Sequence, residues 1–363
     1  MKVRQIQFVH FRNHRAFTFE PGDGLNIIYG SNGSGKTTIL EGIHYCALTK
    51  SFLSIYDSEF VTYGKTFFLI NGLFVNEKEK LTSIKVTYSR DTGKQVSVNT
   101  RNVPTFSEHV GTVPCITFSP ADILIVNGAP AERRRFLDNA ISQMDVKYLQ
   151  ALIQYRRLLQ QRNALLLLIR DRQADQNVLD ILTEQLVEKA AIIVYARREF
   201  IEGIMPCVIS KLRIVSGGEN PSLTYRCTFQ NDDDVPHKDS MANHLLGHLK
   251  ARRSEEIARG QTAAGPHRDD ILFALDEKEI KKYASQGQKR TFIISLKLAL
   301  YDYFQEHQKE KPICLLDDLF SELDSKRVSA LLSILADFGQ TLITSTEKRT
   351  ASYINSVNIH DLI

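Results

Sequence analysis

Three short stretches of this 363-residue chain carry residue types that could do phosphate chemistry. Gly30-Ser31-Asn32-Gly33-Ser34-Gly35-Lys36-Thr37 fits G-x-x-x-x-G-K-[ST], follows the strand-like LNIIY and opens the helix-like TTILEGIHYCAL. The glycines allow a backbone path that turns successive N–H groups onto an anion, and the helix N-terminus adds partial positive charge. In that arrangement Lys36 reaches the β- and γ-phosphates of ATP, Thr37 ligates Mg²⁺, and Thr38 reaches the α-phosphate. The second stretch, ICLLDD, is four apolar residues ending in Asp317 and Asp318, as expected of a buried parallel strand whose C-terminal end meets a ligand crevice. Asp317 then holds Mg²⁺, directly or through water, and Asp318 orients and deprotonates an attacking water. The third, Ser285-Gln286-Gly287-Gln288, stands just before the helix-like KRTFIISLKLALYDYF and offers a second anion-binding helix end. An ordinary glycine turn, a strand-end aspartate and a capping serine are the structural alternatives to each; their occurrence together favours the chemistry.

Positioning these residues takes a sheet drawn from both ends of the chain. QIQFVHF, LNIIYG, TFFLINGLFV, SIKVTYS and KQVSVN read as strands, the last two joined as a hairpin through Arg90-Asp91-Thr92-Gly93. From about Pro130 the period becomes helical. Tyr148, Leu152, Tyr155, Leu159, Leu166 and Ile169 form one seam, and Leu179, Leu182, Leu186, Ile193 and Phe200 another after the polar RDRQADQ, which predicts an αα-hairpin packed on itself. Residues 215–240 are a break holding SGGENPS, a candidate strand LTYRCTF and the acidic QNDDDVPHKD; a helix over about Ser240 to Arg259 follows. After GQTAAGPHRDD come the strand-like ILFAL, a helix from about Gln286 to Phe304, PICLLDD, a helix after Leu323, and TLITST. That alternation is a parallel-sheet signature. The expected fold is α/β with a mixed sheet: a head built from residues 1–118 and 263–363, with 119–262 as an inserted, mainly helical domain.

Composition narrows the class. A hydrophobic content of 43% supports full-sized cores, and a net charge of +4 is compatible with nucleic acid without demanding it. The densest basic groups are Arg133 to Arg135, Arg156 with Arg157, and Arg197 with Arg198. Five scattered cysteines without C-x-x-C spacing argue for a reduced compartment and against a zinc site. The charged N-terminus is no signal peptide, and no run of about 18 apolar residues occurs. A cytoplasmic protein without a membrane partner is the expectation.

An ABC-type ATPase presents this ordered set: a phosphate loop, S-x-G-Q before a helix, a strand ending in two acids, then Ser321-Glu322-Leu323-Asp324. Within that class the chain resembles the RecF family of bacterial recombination and repair proteins, related to SMC heads. The resemblance rests on FRNH at 11–14, the loop itself, FSPADILIVNGAPAERRRFLD at 118–138, GPHRDD at 265–270, ASQGQKR at 284–290 and LLDDLFSELD at 315–324. It implies an ATP-dependent homodimer that binds duplex DNA, acts at gaps, and works with RecO and RecR in loading RecA. It also implies that Arg12 and Asn13 approach the nucleotide, and that Ser285 to Gln288 touch the γ-phosphate held by the opposite subunit.

Departures are informative. Asp318 stands where ABC proteins usually have Glu, and Ser345-Thr346 where they have His, which suggests slow hydrolysis and a timer or clamp rather than a motor. SFLSIYD at 51–57 replaces a more basic stretch of the family pattern. An ABC transporter ATPase subunit is disfavoured because about 250 residues separate the loop from SQGQ, and a small-molecule kinase because it has no use for a signature segment acting across subunits. An ATP-dependent structural clamp with negligible hydrolysis is separable from the leading reading by turnover alone.

Overall fold

A computed structural model describes residues 1–53, 55–216, 218–229, 238–322, 325–346 and 357–362. The chain forms two compact units, one of residues 1–123, 210–218 and 290–363, the other of 124–209 and 219–289. In chain order, the first unit supplies strands β1 (Lys2–Phe11), β2 (His14–Phe19) and β3 (Leu25–Tyr29), helix α1 (Lys36–Leu48), and strands β4 (Phe67–Val75), β5 (Leu81–Ser89), β6 (Gly93–Val98), β7 (Arg101–Asn102) and β8 (Cys115–Phe118). Helices α2 (Ile123–Asn127), α3 (Pro130–Met144), α4 (Val146–Arg170) and α5 (Asn177–Ser216) follow, then β9 (Pro221–Arg226), α6 (Lys238–Ala251), α7 (Arg253–Arg259), β10 (Asp270–Leu275), β11 (Lys278–Glu279) and α8 (Ile280–Tyr283). The chain continues through α9 (Gln286–Gln308), β12 (Ile313–Leu316), α10 (Ser325–Leu335), β13 (Thr341–Ser345) and β14 (Asn358–Asp361).

Antiparallel and parallel pairing are both present in the first unit, each in its own sheet. The antiparallel sheet runs β2-β1-β4-β5-β6-β7, with the expected hairpin at Arg90 to Gly93. The five-stranded sheet, β14-β3-β13-β12-β8, is parallel throughout and is drawn from both ends of the chain. Its strands β3, β12 and β13 are buried along their whole length; β12 is apolar throughout, while β3 carries the buried Asn26 and β13 the buried Thr341, Thr344 and Ser345. The two sheets share one hydrophobic core with α1, whose Ile39, Leu40, Ile43, Cys46 and Ala47 are fully buried. Helix and sheet come together at Gly42, where a Cβ would lie 2.2 Å from the Phe8 ring, so only glycine permits that approach. Gln340, just before β13, fastens the sheets: its Oε1 accepts from the Val3 N–H at 2.6 Å, and its Nε2 donates to the carbonyls of Val3 (3.0 Å) and Gly22 (2.8 Å).

In the second unit, α4 and α5 form the expected αα-hairpin, and the expected helix over 240–259 is two, α6 and α7, broken at Arg252. A three-stranded antiparallel sheet, β11-β10-β9, pairs Pro221–Arg226 with Asp270–Leu275. That pairing places 263–289 with the helical unit, whereas the sequence division assigned everything after 262 to the head; strand partners far apart in the chain overrode the order of elements.

The densest arginines are largely internal to this unit. Arg197 is 2% exposed and bonds Asp138, Tyr148, Tyr225 and the Pro266 carbonyl. Arg133 forks onto both carboxylate oxygens of Asp270 at 2.6 and 2.9 Å, and Arg134 donates to the Asp269 carbonyl. The blocks at 118–138 and 265–270 therefore meet in one buried polar cluster, in which Arg133 pairs with Asp270 and Arg197 with Asp138, while the buried Asp269 carboxylate accepts from Tyr225 and Thr228. Burial pushes the Asp138 carboxyl up, but Arg197, Tyr148 and Arg156 outweigh it and hold the group below its ordinary value. Arg135, Arg156 and Arg157 remain at the surface.

Candidate nucleotide site

The phosphate loop joins the buried end of β3 to the start of α1. Gly35 is the residue before the helix, at φ 99°, and no side chain caps the helix there. A Cβ at Gly35 would also lie 2.5 Å from the His14 ring, so glycine is required twice over. The first backbone bond of the helix runs from the Ile39 N–H to the Gly35 carbonyl, which leaves the N–H groups of Lys36, Thr37 and Thr38 without intrahelical acceptors. Lys36 is 8% exposed and folds back over the loop, with Nζ donating to the carbonyls of Gly30 (2.7 Å) and Ser31 (2.8 Å). Ser31, Asn32 and Gly33 form the exposed crest, and the Ser34 hydroxyl is buried beneath it without a hydrogen-bond partner.

The β1–β2 turn braces this loop. Asn13 donates through Nδ2 to the Gly33 carbonyl at 3.2 Å and accepts at Oδ1 from the Thr38 hydroxyl at 3.3 Å, so Thr38 is turned toward Asn13. Arg12, at φ 51°, donates its N–H to the Phe60 carbonyl and lays its guanidinium 4.9 Å over the Phe60 ring. His14, unassigned in the sequence reading although it closes the FRNH stretch, packs on Phe17 and borders Gly35, and burial holds its imidazole below the ordinary value. Arg12 and Asn13 thus lie beside the loop, Asn13 in direct contact and Arg12 through the adjoining segment.

The acid pair arrives from the other end of the chain. Parallel pairing of β12 with β13 and β8 carries Asp317 to the loop, where Thr37 Oγ1 donates to Asp317 Oδ1 at 2.8 Å across 280 positions of sequence. Thr344 Oγ1, in β13, donates to the same oxygen at 2.9 Å and accepts from the Asp318 N–H at 3.0 Å. Thr344 was missed in the sequence; its only signal is a hydroxyl inside the buried run TLITS. Burial pushes the Asp317 carboxyl above its ordinary value, while Thr37, Thr344 and Lys36 pull it back. Asp318, at φ 44°, is half-buried and borders a small cavity with Ser119, Pro120 and Arg290. Ser345 is buried at the end of β13 and Thr346 is exposed, where a His had been expected of ABC proteins.

One turn beyond Thr37, Glu41 is fully buried and tethers the segment after α1. Its Oε1 accepts from the Ser51 hydroxyl (2.8 Å) and the Leu53 N–H (3.2 Å), and its Oε2 is buried without a partner. Burial pushes its carboxyl up to about 7, against the opposing pull of Ser51, Leu53 and Arg12. The SFLSIYD stretch is therefore held to the phosphate-loop helix through Glu41; Ser54 within it lies outside the described residues.

These residues fit a nucleotide with its metal. Open N–H groups at an uncapped helix start suit phosphate oxygens, and Lys36 adds a buried, mobile positive charge. A hydroxyl beside a buried carboxylate is a hard-oxygen donor set of the kind Mg²⁺ takes together with water and phosphate. Among the described residues no cluster of three or more His, Cys, Asp or Glu could hold a metal.

Ser285, Gly287 and Gln288 belong to the second unit. Ser285 and Gln286 are exposed at the start of α9, and a capping box closes that end: the Gln288 N–H donates to Ser285 Oγ at 3.2 Å, and the Ser285 N–H to Gln288 Oε1 at 2.8 Å. Gln288 Nε2 then donates to Glu219 Oε1 at 2.7 Å, a partner with no sequence signal. The Ser321-Glu322-Leu323-Asp324 stretch is described only through the one-turn helix Leu319–Glu322; Leu323 and Asp324 lie outside the described residues.

The head-type α/β fold, with a phosphate loop meeting a paired-acid strand, defines the class: an ABC-type ATPase head of the SMC kind. The family model of the RecF/RecN/SMC N terminal domain matches residues 2–359. A Chlorobium limicola protein named DNA replication and repair protein RecF is 52% identical over 363 residues, covering all of both chains. A namesake from Chlorobium phaeovibrioides is 49% identical, covering 96% of this chain and 94% of its own. The chain belongs to the RecF family. Among solved structures, the recombination mediator protein RecF-ATPrS of the RecFOR pathway superposes with a TM-score of 0.90 at 31% identity, covering 96% of this chain and 93% of that one. An Smc head bound to the C-terminal winged-helix domain of ScpA shares the fold at 15% identity and a TM-score of 0.58, covering 98% and 93%. No helix among the described residues is long and apolar enough to cross a membrane.

Proposed function

We propose that this chain is a slow, Mg²⁺-dependent ATPase of DNA repair that binds ATP in the phosphate loop, dimerises on it, and uses the dimer to hold duplex and gapped DNA. The observation that carries the proposal is the Thr37 to Asp317 hydrogen bond, which joins the loop to the acid pair in one constellation. The relatives' names and the RecF-ATP structure of the RecFOR pathway support ATP as the nucleotide and DNA repair as the setting.

Mg²⁺, when bound, supplies charge stabilisation on the β- and γ-phosphate oxygens. Lys36 exchanges its loop carbonyls for those phosphates, and Gly30 to Gly35 offer backbone donors. Thr37 and Asp317 hold the metal, with Thr344 fixing the carboxylate. Asp318 orients the attacking water and accepts its proton, and because aspartate is one methylene shorter than the usual glutamate, turnover is slow. Thr38 and Asn13 brace the α-phosphate side, and Arg12 approaches from the β1–β2 turn.

Ser285 and Gly287 present the second helix end to the γ-phosphate bound by a partner copy, so two equivalent sites close through one isologous contact. Of the densest basic groups, the surface arginines Arg135, Arg156 and Arg157 meet DNA phosphates in this reading, and RecR and RecO are the protein partners in a cytoplasmic setting. Substituting Lys36 by Ala tests the site directly. ATP affinity should fall roughly 10- to 100-fold with the fold unchanged, the size expected for lost charged hydrogen bonds. Parental affinity in Lys36→Ala would show that the loop does not hold the phosphates.

A further inference from the structure

Glu219 stands just before β9, in a stretch whose composition reads as a plain turn, yet it is anchored on both sides of its role. Its neighbour Asn220 is clamped to the β10–β11 turn, with the Asn220 N–H donating to Asp276 Oδ1 at 3.1 Å and the Asp276 N–H returning to the Asn220 carbonyl at 2.9 Å. From that fixed point Glu219 Oε1 accepts from Gln288 Nε2 at 2.7 Å, while Glu219 Oε2 is buried without a partner. The other end of the Gln288 amide accepts the Ser285 N–H, so the hydrogen bonds at its two ends fix which way the amide faces.

Two consequences follow from chemistry alone. Gln288 has both ends of its side chain committed and faces inward, whereas Ser285 is exposed, with its Oγ accepting only from within the box. The serine is the group available to a ligand, and the glutamine is the brace that holds it. Glu219 also places a carboxylate at the N-terminus of a 23-residue helix, where the positive end of the helix dipole stabilises it. An incoming phosphate would compete for that same field.

We propose that Glu219 is a positioning residue for the second anion site: it locks Gln288 into the capping box and, as a resident negative charge, raises the ATP requirement of dimerisation. This rests on the proposed trans site. Glu219 keeps the helix end shaped but electrostatically occupied, so that only a multiply charged γ-phosphate, fixed on a partner's loop, displaces its influence. Replacing it by Gln keeps an acceptor for Gln288 and removes the charge. Replacing it by Ala removes both.

The test is sedimentation velocity of the full chain over an ATP titration, with steady-state turnover measured on the same samples, for the parent, Glu219→Gln, Glu219→Ala and Ser285→Arg. Glu219→Gln should dimerise at about two- to fivefold lower ATP per site, the range of a charge at a helix end, with the gain fading at high salt. Glu219→Ala should share the lower ATP requirement while losing kcat, because Gln288 is no longer held; thermal melting checks that it is folded. Ser285→Arg should not dimerise. If Glu219→Gln needs as much ATP as the parent while Ser285→Arg fails to dimerise, the Glu219 inference is overturned and the trans site stands. If Ser285→Arg dimerises and turns over like the parent, the trans site falls and takes this inference with it.

Discussion

Two helices of this chain begin at segments suited to anions, and they begin differently. Helix α1 starts after a left-handed glycine, with no side-chain cap, its first N–H groups open and its lysine buried. Helix α9 starts with a capping box that satisfies the N–H groups of Ser285 and Gln288, with an exposed serine and a carboxylate close by. The first is preorganised to hold a phosphate by itself, because every group that would otherwise cap the helix has been removed. The second is stable alone and gains only a conditional ligand, since a phosphate there must compete with local hydrogen bonds and the Glu219 charge. That difference suits a protein in which one site binds nucleotide and the other reads whether a partner has bound it.

The comparison can be sharpened at the stronger site first. Asp317→Asn removes the charge that faces Thr37 and Thr344 while keeping an oxygen for both hydroxyls, so ATP binding in the loop should persist while turnover drops on the order of a hundredfold or more. Nucleotide binding by fluorescence and phosphate release on the same sample separate the two effects. Equal loss of both would mean that Asp317 shapes the loop instead of holding the metal.

A smaller effect is expected one turn away, at Glu41. Its folded-state carboxyl is pushed up to about 7 from an ordinary 4.5, so the folded chain binds the proton more tightly than the unfolded one. That contribution to stability is complete below about pH 4.5 and is lost as pH rises toward 7. Relative to the parent, Glu41→Gln should therefore gain stability across that window by at most about 1.4 kcal/mol per pH unit and level off above it. Chemical denaturation of both proteins from pH 5 to 8 measures the difference. A pH-independent difference would remove Glu41 as a buried titrating group.

What could be read in the sequence followed the range of each signal. The phosphate loop, α1, β12 and the αα-hairpin announce themselves through local spacing, and all appear where the pattern put them. Thr344 and Glu219 did not, because each acts through a partner brought close only by parallel strand pairing or by a turn clamp. Strand β14 escaped because NIHD is short and exposed at alternate positions, with little apolar content to mark it. The arginines show a related limit: sequence shows charge but not pairing, and Arg133 and Arg197 are consumed by Asp270 and Asp138. The division into units shifted because β9 and β10 pair across the helices between them.

The central claim, that each active site is completed by a second copy, is tested most directly by mixing two inactive variants. Lys36→Met loses its loop and Ser285→Arg its signature, so neither alone should form a competent site. A mixed dimer contains one site that pairs an intact loop with an intact signature, and another in which both are damaged. Phosphate release by the equimolar mixture should therefore rise well above the sum of the separate variants, toward no more than half of the parental rate. A mixture no more active than its components, or a Ser285→Arg protein that hydrolyses ATP at the parental rate by itself, would contradict the account.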